Sequence, residues 1–96
     1  MRRQEVLKCL SEHQHDLREF GIVSLLLFGS VARDEQNSHS DVDLLVEFNQ
    51  PVGLLFFLHV RRFLSEVLNA PVDLVTLDAL KPRSKERILK EAIHAT

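Results

Sequence analysis

The chain has 96 residues, of which 45% are hydrophobic and 27% charged, and its formal net charge is −2. This length suits one core, so we predict a single domain over residues 1–96. The slightly acidic balance argues against direct nucleic-acid binding, and no apolar run approaches the roughly 20 residues of a membrane span. Cys9 is the sole cysteine, and polar residues follow Met1 where a signal peptide would be apolar. We therefore expect a cytoplasmic protein.

The first half of the chain predicts a helix followed by two strands. Residues 3–20 place apolar side chains at helical spacing and end before Gly21, a common helix stop. Residues 22–28 form an almost wholly apolar run, which favours a buried strand. After a turn and a short helix comes a polar loop at residues 35–40. Residues 41–48 then alternate between apolar and other residues, as in a strand with one buried face.

The second half predicts a helix, a third strand and a final helix. Residues 53–68 are rich in Leu and Phe and long enough for a helix. Residues 72–77 are typical of a strand, and a last helix is expected from Pro82 onward. Its buried face would carry four apolar residues, Ile88, Leu89, Ala92 and Ile93. This order predicts an α/β (α+β) fold with a small mixed sheet of about three strands flanked by helices.

Two carboxylates stand at the start of the second strand. Asp41 and Asp43 would point to the same face, with about 6–7 Å between their Cα atoms. Their repulsion at that distance is on the order of 2–3 kcal/mol at an effective dielectric constant near 20. A bound cation would remove this repulsion, so we predict a divalent metal site. A solvated strand start is the alternative for this pattern taken alone.

A Gly-Ser pair precedes Asp41 by ten residues and ends the first strand. Gly29 allows close approach of a ligand to the backbone, and the Ser30 hydroxyl with free amides at a helix start favours phosphate. A plain turn with a helix cap is a compatible interpretation. Arg33, one turn later, is either a phosphate contact or a surface arginine. Metal and phosphate together predict nucleotide chemistry.

A third carboxylate, Asp73, lies inside the apolar third strand. A buried carboxylate without a partner is costly, so Asp73 needs water, an arginine or a metal ion. Alone it fits a solvated strand edge equally well. Beside Asp41 and Asp43, metal ligation is favoured, because three convergent carboxylates are the usual site for a hard cation.

These residues resemble the pattern of the DNA polymerase β superfamily of nucleotidyltransferases. The matching positions are Gly29, Ser30, Asp41, Asp43 and Asp73. Within the superfamily, three segments resemble the MntA-type antitoxins, minimal nucleotidyltransferases encoded beside HEPN-domain toxins; they are residues 29–33, 40–46 and 80–83. Asp34 departs from the pattern, because such proteins often carry Gly there. Asp34 would either tighten the loop or place a negative charge near the phosphates. The property that this departure puts in doubt is the affinity for the nucleotide.

The resemblance implies an enzyme that uses two Mg²⁺ ions, with Mn²⁺ as a possible substitute, and ATP. Asp41 and Asp43 would ligate both metals and Asp73 the metal that activates the attacking hydroxyl. The phosphates would be held by Gly29 and Ser30, with Arg33 as a further candidate. The implied reaction is transfer of AMP to a tyrosine of a partner HEPN toxin, which is thereby silenced.

The resemblance also frames the alternatives. An antitoxin that only binds and occludes its toxin would have no need of three carboxylates. Nucleotidyl transfer to a small molecule such as an aminoglycoside uses an additional domain in related enzymes, which we do not expect here. We therefore expect the acceptor to be a partner protein, in a hetero-oligomer of antitoxin and toxin.

Overall fold

The structure is a computed structural model that describes residues 2–35 and 41–95; of the predicted loop at 35–40, residues 36–40 lie outside the described residues. The helices are α1 (Arg3–Glu12), α2 (Gln14–Glu19), α3 (Gly29–Ala32), α4 (Leu54–Leu68) and α5 (Pro82–Glu91). The strands are β1 (Ile22–Phe28), β2 (Val42–Phe48), β3 (Val72–Val75) and β4 (Ile93–His94). None of the helices in the described ranges is long and apolar enough to cross a membrane.

The described strands form one mixed sheet in the order β3-β2-β1-β4. Strand β1 is antiparallel to both β2 and β4, whereas β3 runs parallel to β2. The predicted α+β class is confirmed, but the sheet has a fourth strand that periodicity did not predict. Ile93 was expected on the buried face of the last helix; instead α5 ends at Glu91 and Ile93 pairs with Leu27. Pairing gives hydrogen-bond partners to an edge of β1 that would otherwise lack them.

The predicted helix over residues 3–20 is also divided in two. At His13 the backbone leaves the helical region, with φ −106° and ψ 18°, and α2 begins at the next residue. The His13 Nδ1 atom lies 2.9 Å from the Cys9 carbonyl oxygen, which gives this oxygen a partner at the break. Gly21 follows with φ 81°, so the predicted stop lies in the left-handed region that favours glycine.

The sheet has two unlike faces. The core face packs against α1, α2 and α4, and alternate residues of β2 point into it: Val42, Leu44 and Val46. The opposite face, here called the site face, carries a much smaller buried cluster of Phe28, Leu45 and Ile88, the last from α5. Because strand side chains alternate, Asp43 and Asp73 share the site face with Leu45 and Val75.

Candidate functional site

The parallel pairing of β2 with β3 brings two of the predicted acids together. Asp43 and Asp73 are direct partners in the register, so their Cα atoms lie on adjacent strands about 5 Å apart. Asp43 also pairs with Phe28 at the end of β1, immediately before Gly29. The register thus places the Gly-Ser turn, Asp43 and Asp73 side by side across three strands.

The Asp43 carboxyl group is in a strongly acidic environment. Its pKa is raised from 3.8 to about 6, first by desolvation and then by repulsion from Asp73 and Asp41. Arg33 acts in the opposite direction, and a hydrogen bond shared with Asp73 favours the protonated form. Folding therefore places Asp43 where its negative charge is unfavourable unless a positive charge is supplied.

Asp41 lies one residue before β2 and is exposed. It contributes to the repulsion felt by Asp43 but is not a partner in the β2–β3 ladder, which begins at Val42 and Val72. Asp41 directly follows residues 36–40, which lie outside the described ranges. Strand register therefore places Asp43 beside Asp73, and Asp41 lies close enough to repel the Asp43 carboxylate.

The donor set fits a hard divalent cation in its chemistry. Three carboxylates with a raised Asp43 pKa supply oxygen ligands and excess negative charge, which suits Mg²⁺. As the side chains stand, however, no three His, Cys, Asp or Glu residues within 2–35 and 41–95 are arranged to hold an ion. Mutual repulsion among ionised carboxylates opposes such an arrangement when no cation compensates it. The geometry supplies a pair of adjacent acids, Asp43 and Asp73, with Asp41 nearby.

Gly29 is required by the close approach of Asp43. Its φ is 77°, and a Cβ atom placed on it would collide with the Asp43 Oδ2 atom. The sequence predicted that Gly29 permits close approach of a ligand; the group that approaches it in the structure is the Asp43 carboxylate of the protein itself. Any larger residue at this position would displace the Asp43 carboxylate.

Gly29 and Ser30 open α3 and line a cavity of about 540 Å³ on the site face. This volume lies within the roughly 300–1,000 Å³ of small-molecule sites. The cavity is bounded by eight residues, Phe28, Gly29, Ser30, Arg33, Asp43, Arg87, Ile88 and Glu91. A groove of about 580 Å³ at the far end of β2 contains none of the three predicted acids. The cavity beside Ser30 combines one of the predicted acids, Asp43, with two arginines, Arg33 and Arg87.

Arg33 is held by two carboxylates. Its Nε atom donates to Glu35 at 3.0 Å, and its Nη1 atom lies 3.1 Å from both carboxylate oxygens of Glu91. These hydrogen bonds, that to Glu35 first, raise the pKa of Arg33. The Gly29 amide also donates to Glu91, at 3.4 Å. Arg33 thus borders the cavity, where a phosphate contact would have to lie. Its guanidinium is paired there with Glu91, a residue that sequence reasoning missed.

Two residues of α5, Arg87 and Glu91, were not among the predicted site residues. They lie one turn apart on the same side of the helix and both border the cavity. In the sequence they belong to an ordinary charged helical segment, so no local signal distinguishes them. Helical spacing would place them together, but only the packing of α5 on the site face brings them to Gly29.

Asp34, the departure from the family pattern, has a local explanation. Its φ is 56°, the left-handed conformation in which glycine is most at ease. Its carboxylate is bound by Arg3 at 3.2 Å, and both side chains are partly exposed. The negative charge of Asp34 is therefore compensated by α1 and is not part of the cavity lining.

Comparison with known proteins identifies related chains across nearly the whole sequence. The nucleotidyltransferase domain family matches residues 4–94. The protein adenylyltransferase MntA of Thermococcus cleftensis is 36% identical over 92 residues, covering 95% of this chain and 93% of that protein.

Solved structures share the fold. The structure of a candidate minimal nucleotidyltransferase superposes with a TM-score of 0.84 at 34% identity, covering 97% of this chain and 95% of that one. A chain from the complex of a tri-AMPylated HEPN toxin with an MNT antitoxin of Shewanella oneidensis gives a TM-score of 0.70 at 17% identity. That match covers 95% of this chain and 71% of the other, and at such identity it concerns the fold alone.

Proposed function

This chain belongs to the nucleotidyltransferase domain family, and we propose that it is an antitoxin enzyme that transfers AMP from ATP to a partner HEPN-domain toxin. The observation that carries this proposal is the register of β2 and β3, which sets Asp43 beside Asp73 next to the Gly-Ser turn. The likeness to an MntA protein adenylyltransferase supports transfer to a protein. The reaction would take place in the cytoplasm, by a chain that acts as one domain.

In this proposal Asp41, Asp43 and Asp73 hold two Mg²⁺ ions, or Mn²⁺ in their place. The ions supply positive charge that stabilises the attacking and leaving oxygens of an in-line displacement. Ionised Asp43 needs such a charge, because its pKa is raised by desolvation and by its acidic neighbours. Metal binding and the unfavourable environment of Asp43 are thus two consequences of the same arrangement.

The phosphate chain of ATP would lie along the cavity at the start of α3. The Ser30 hydroxyl and the Arg33 guanidinium would donate hydrogen bonds to the phosphates, while Gly29, which has no Cβ atom, lets the Asp43 carboxylate lie directly beside this turn. An acceptor hydroxyl of the toxin, which we assign to a tyrosine, attacks the α-phosphorus. The new oxygen–phosphorus bond replaces the bond to pyrophosphate, and the hydroxyl proton passes to Asp73.

The proposal predicts that the acids are needed for toxin labelling and for protection. The purified chain is incubated with Mg²⁺, α-labelled ATP and the HEPN-domain toxin encoded beside its gene. The wild type should label the toxin covalently, whereas the double variant Asp41→Ala/Asp43→Ala should give no labelled toxin. Glu47→Ala is the matched control, because Glu47 is an exposed acid on the same strand, outside the cavity. The control should label the toxin at the wild-type rate.

The same variants separate catalysis from occlusion in cells. Cells that produce the toxin should survive with the wild type and with Glu47→Ala, and should fail to grow with Asp41→Ala/Asp43→Ala. Protection by the double variant at wild-type strength would mean that binding alone neutralises the toxin. Mass spectrometry of the labelled toxin identifies the modified residue, and label on a residue other than tyrosine would contradict that part of the proposal.

A further inference from the structure

The Glu91 carboxylate joins three parts of the cavity wall. From the last turn of α5 it accepts a hydrogen bond from the Gly29 amide at 3.4 Å and lies 3.1 Å from Arg33 Nη1 through each oxygen. The Glu91 side chain is 26% exposed and the Arg33 side chain 44% exposed. The contact with the Gly29 amide is therefore partly buried, whereas the ion pair with Arg33 is open to solvent. A residue 62 positions away from Gly29 in sequence therefore links the phosphate-binding turn to the last helix.

A carboxylate at this position needs an explanation, because it would repel a triphosphate. Its contact with Arg33 offers one. Arg33 has a long, flexible side chain, and an isolated arginine loses rotamer entropy when it is ordered. Here the guanidinium is held by contacts within the protein: Nε donates to Glu35 and Nη1 to Glu91. The Nη2 atom carries two further donors that can bind phosphate.

We propose that Glu91 is a positioning residue of the nucleotide site, which orients Arg33 and anchors the Gly29 turn for binding of the triphosphate. This inference rests on the proposed function in that ATP must bind in the cavity beside Ser30. It adds a residue on α5 to a site otherwise assembled from β1, α3, β2 and β3. The conformational cost of ordering Arg33 is met during folding rather than on binding.

The variant Glu91→Gln tests this role. Glutamine has the same size and keeps an oxygen acceptor for the Gly29 amide, but it removes the charge that holds Arg33. Glu86→Gln is the matched control: the same change on the same helix, at an exposed residue 3.8 Å from Lys90. The dissociation constant of the magnesium complex of α,β-methylene-ATP, which cannot be cleaved at the reacting position, is measured without toxin.

We expect Glu91→Gln to raise this dissociation constant about two- to fivefold, the effect of losing one ion pair that is open to solvent. Glu86→Gln should leave it unchanged. Because Glu91 acts through Arg33, adding Glu91→Gln to Arg33→Gln should weaken binding no further. In toxin labelling, Glu91→Gln should raise the KM for ATP while kcat at saturating ATP stays within threefold.

Three results would overturn the inference. Tighter binding of the ATP analogue by Glu91→Gln would mean that Glu91 repels the phosphates or competes with them for Arg33. A lower melting temperature with unchanged nucleotide affinity would make it a purely structural link. Failure of the wild type to bind the analogue at millimolar concentration would remove the nucleotide site itself, and the proposed function with it. Wild-type binding without toxin labelling would instead defeat the proposed function alone.

Discussion

The two faces of the sheet are built from alternate residues of the same strands, yet they serve different purposes. On β2, Leu44 is fully buried on the core face, where three helices cover it. The next residue, Leu45, is also buried, but in a cluster that has three buried members among the described residues, one of them Ile88 of α5. Two residues before Leu45, on that same site face, lies Asp43, whose charge is unfavourable in the folded protein.

This difference shows how a 96-residue chain accommodates an electrostatically costly site. Burial of apolar area on the core face supplies most of the stabilisation, since the hydrophobic contribution scales with the area removed from water. The site face contributes less and can therefore hold adjacent acids and a cavity. Removing groups from the core face should reduce stability, and removing groups from the site face should reduce function.

The largest effect is expected from Asp73→Asn on the site face. Toxin labelling should fall by about a thousandfold or more, because metal-assisted charge stabilisation amounts to several kcal/mol and each 1.4 kcal/mol is about tenfold. Binding of the ATP analogue should persist, whereas Ser30→Ala should weaken it. Unfolding by urea should show no loss of stability in Asp73→Asn, since repulsion of Asp43 is removed. Equal loss of nucleotide binding in both variants would contradict these separate roles.

A pair of neighbouring substitutions on β2 compares the two faces directly. Leu44→Ala should lower the free energy of unfolding by about 3–5 kcal/mol, because it leaves a cavity in the core covered by helices. Leu45→Ala should cost about 2–3 kcal/mol, because its smaller cluster can relax or admit water. Urea titrations of the two variants measure the difference. Equal losses would mean that the site face contributes to stability as much as the core face does.

Gly29→Ala tests the close approach of the turn to Asp43. The positive φ and the collision with the Asp43 carboxylate should together cost about 1–3 kcal/mol of stability. Nucleotide binding should fall as well, because Asp43 must move. Gly53→Ala is a suitable comparison, since a Cβ atom at Gly53 meets no atom within 4 Å. A Gly29→Ala variant as stable as Gly53→Ala would refute the close approach.

The smallest effect concerns pH. The pKa of Asp43 is about 6 in the folded protein against 3.8 ordinarily, so the folded state binds this proton more tightly. The free energy of unfolding should therefore fall as pH rises from 3.8 to about 6, and level off above it. Solvent screening limits the change to on the order of 1 kcal/mol. In EDTA, Asp43→Asn should lack this decrease; a pH profile identical to the wild type would contradict the assignment.

Much of the fold was predictable because the signals are local. Period-two alternation over 41–48 and the apolar run over 22–28 correspond to β2 and β1, and Leu-rich spacing over 53–68 corresponds to α4. The missed fourth strand lies where a distant segment competed with the local pattern. Ile93 continues a helical spacing, but pairing with Leu27 of β1 places it in a strand.

The amino-acid sequence alone determined which chemical groups are present and on which side of each strand they lie. Alternation along β2 separates Asp43 from the core residues Val42 and Leu44 within a few positions of chain. The tertiary structure decided that Asp73 stands opposite Asp43 and that Glu91 reaches Gly29. Those contacts join segments that are far apart in the chain. Their register depends on how the helices pack on the sheet, and a short stretch of sequence does not contain that information.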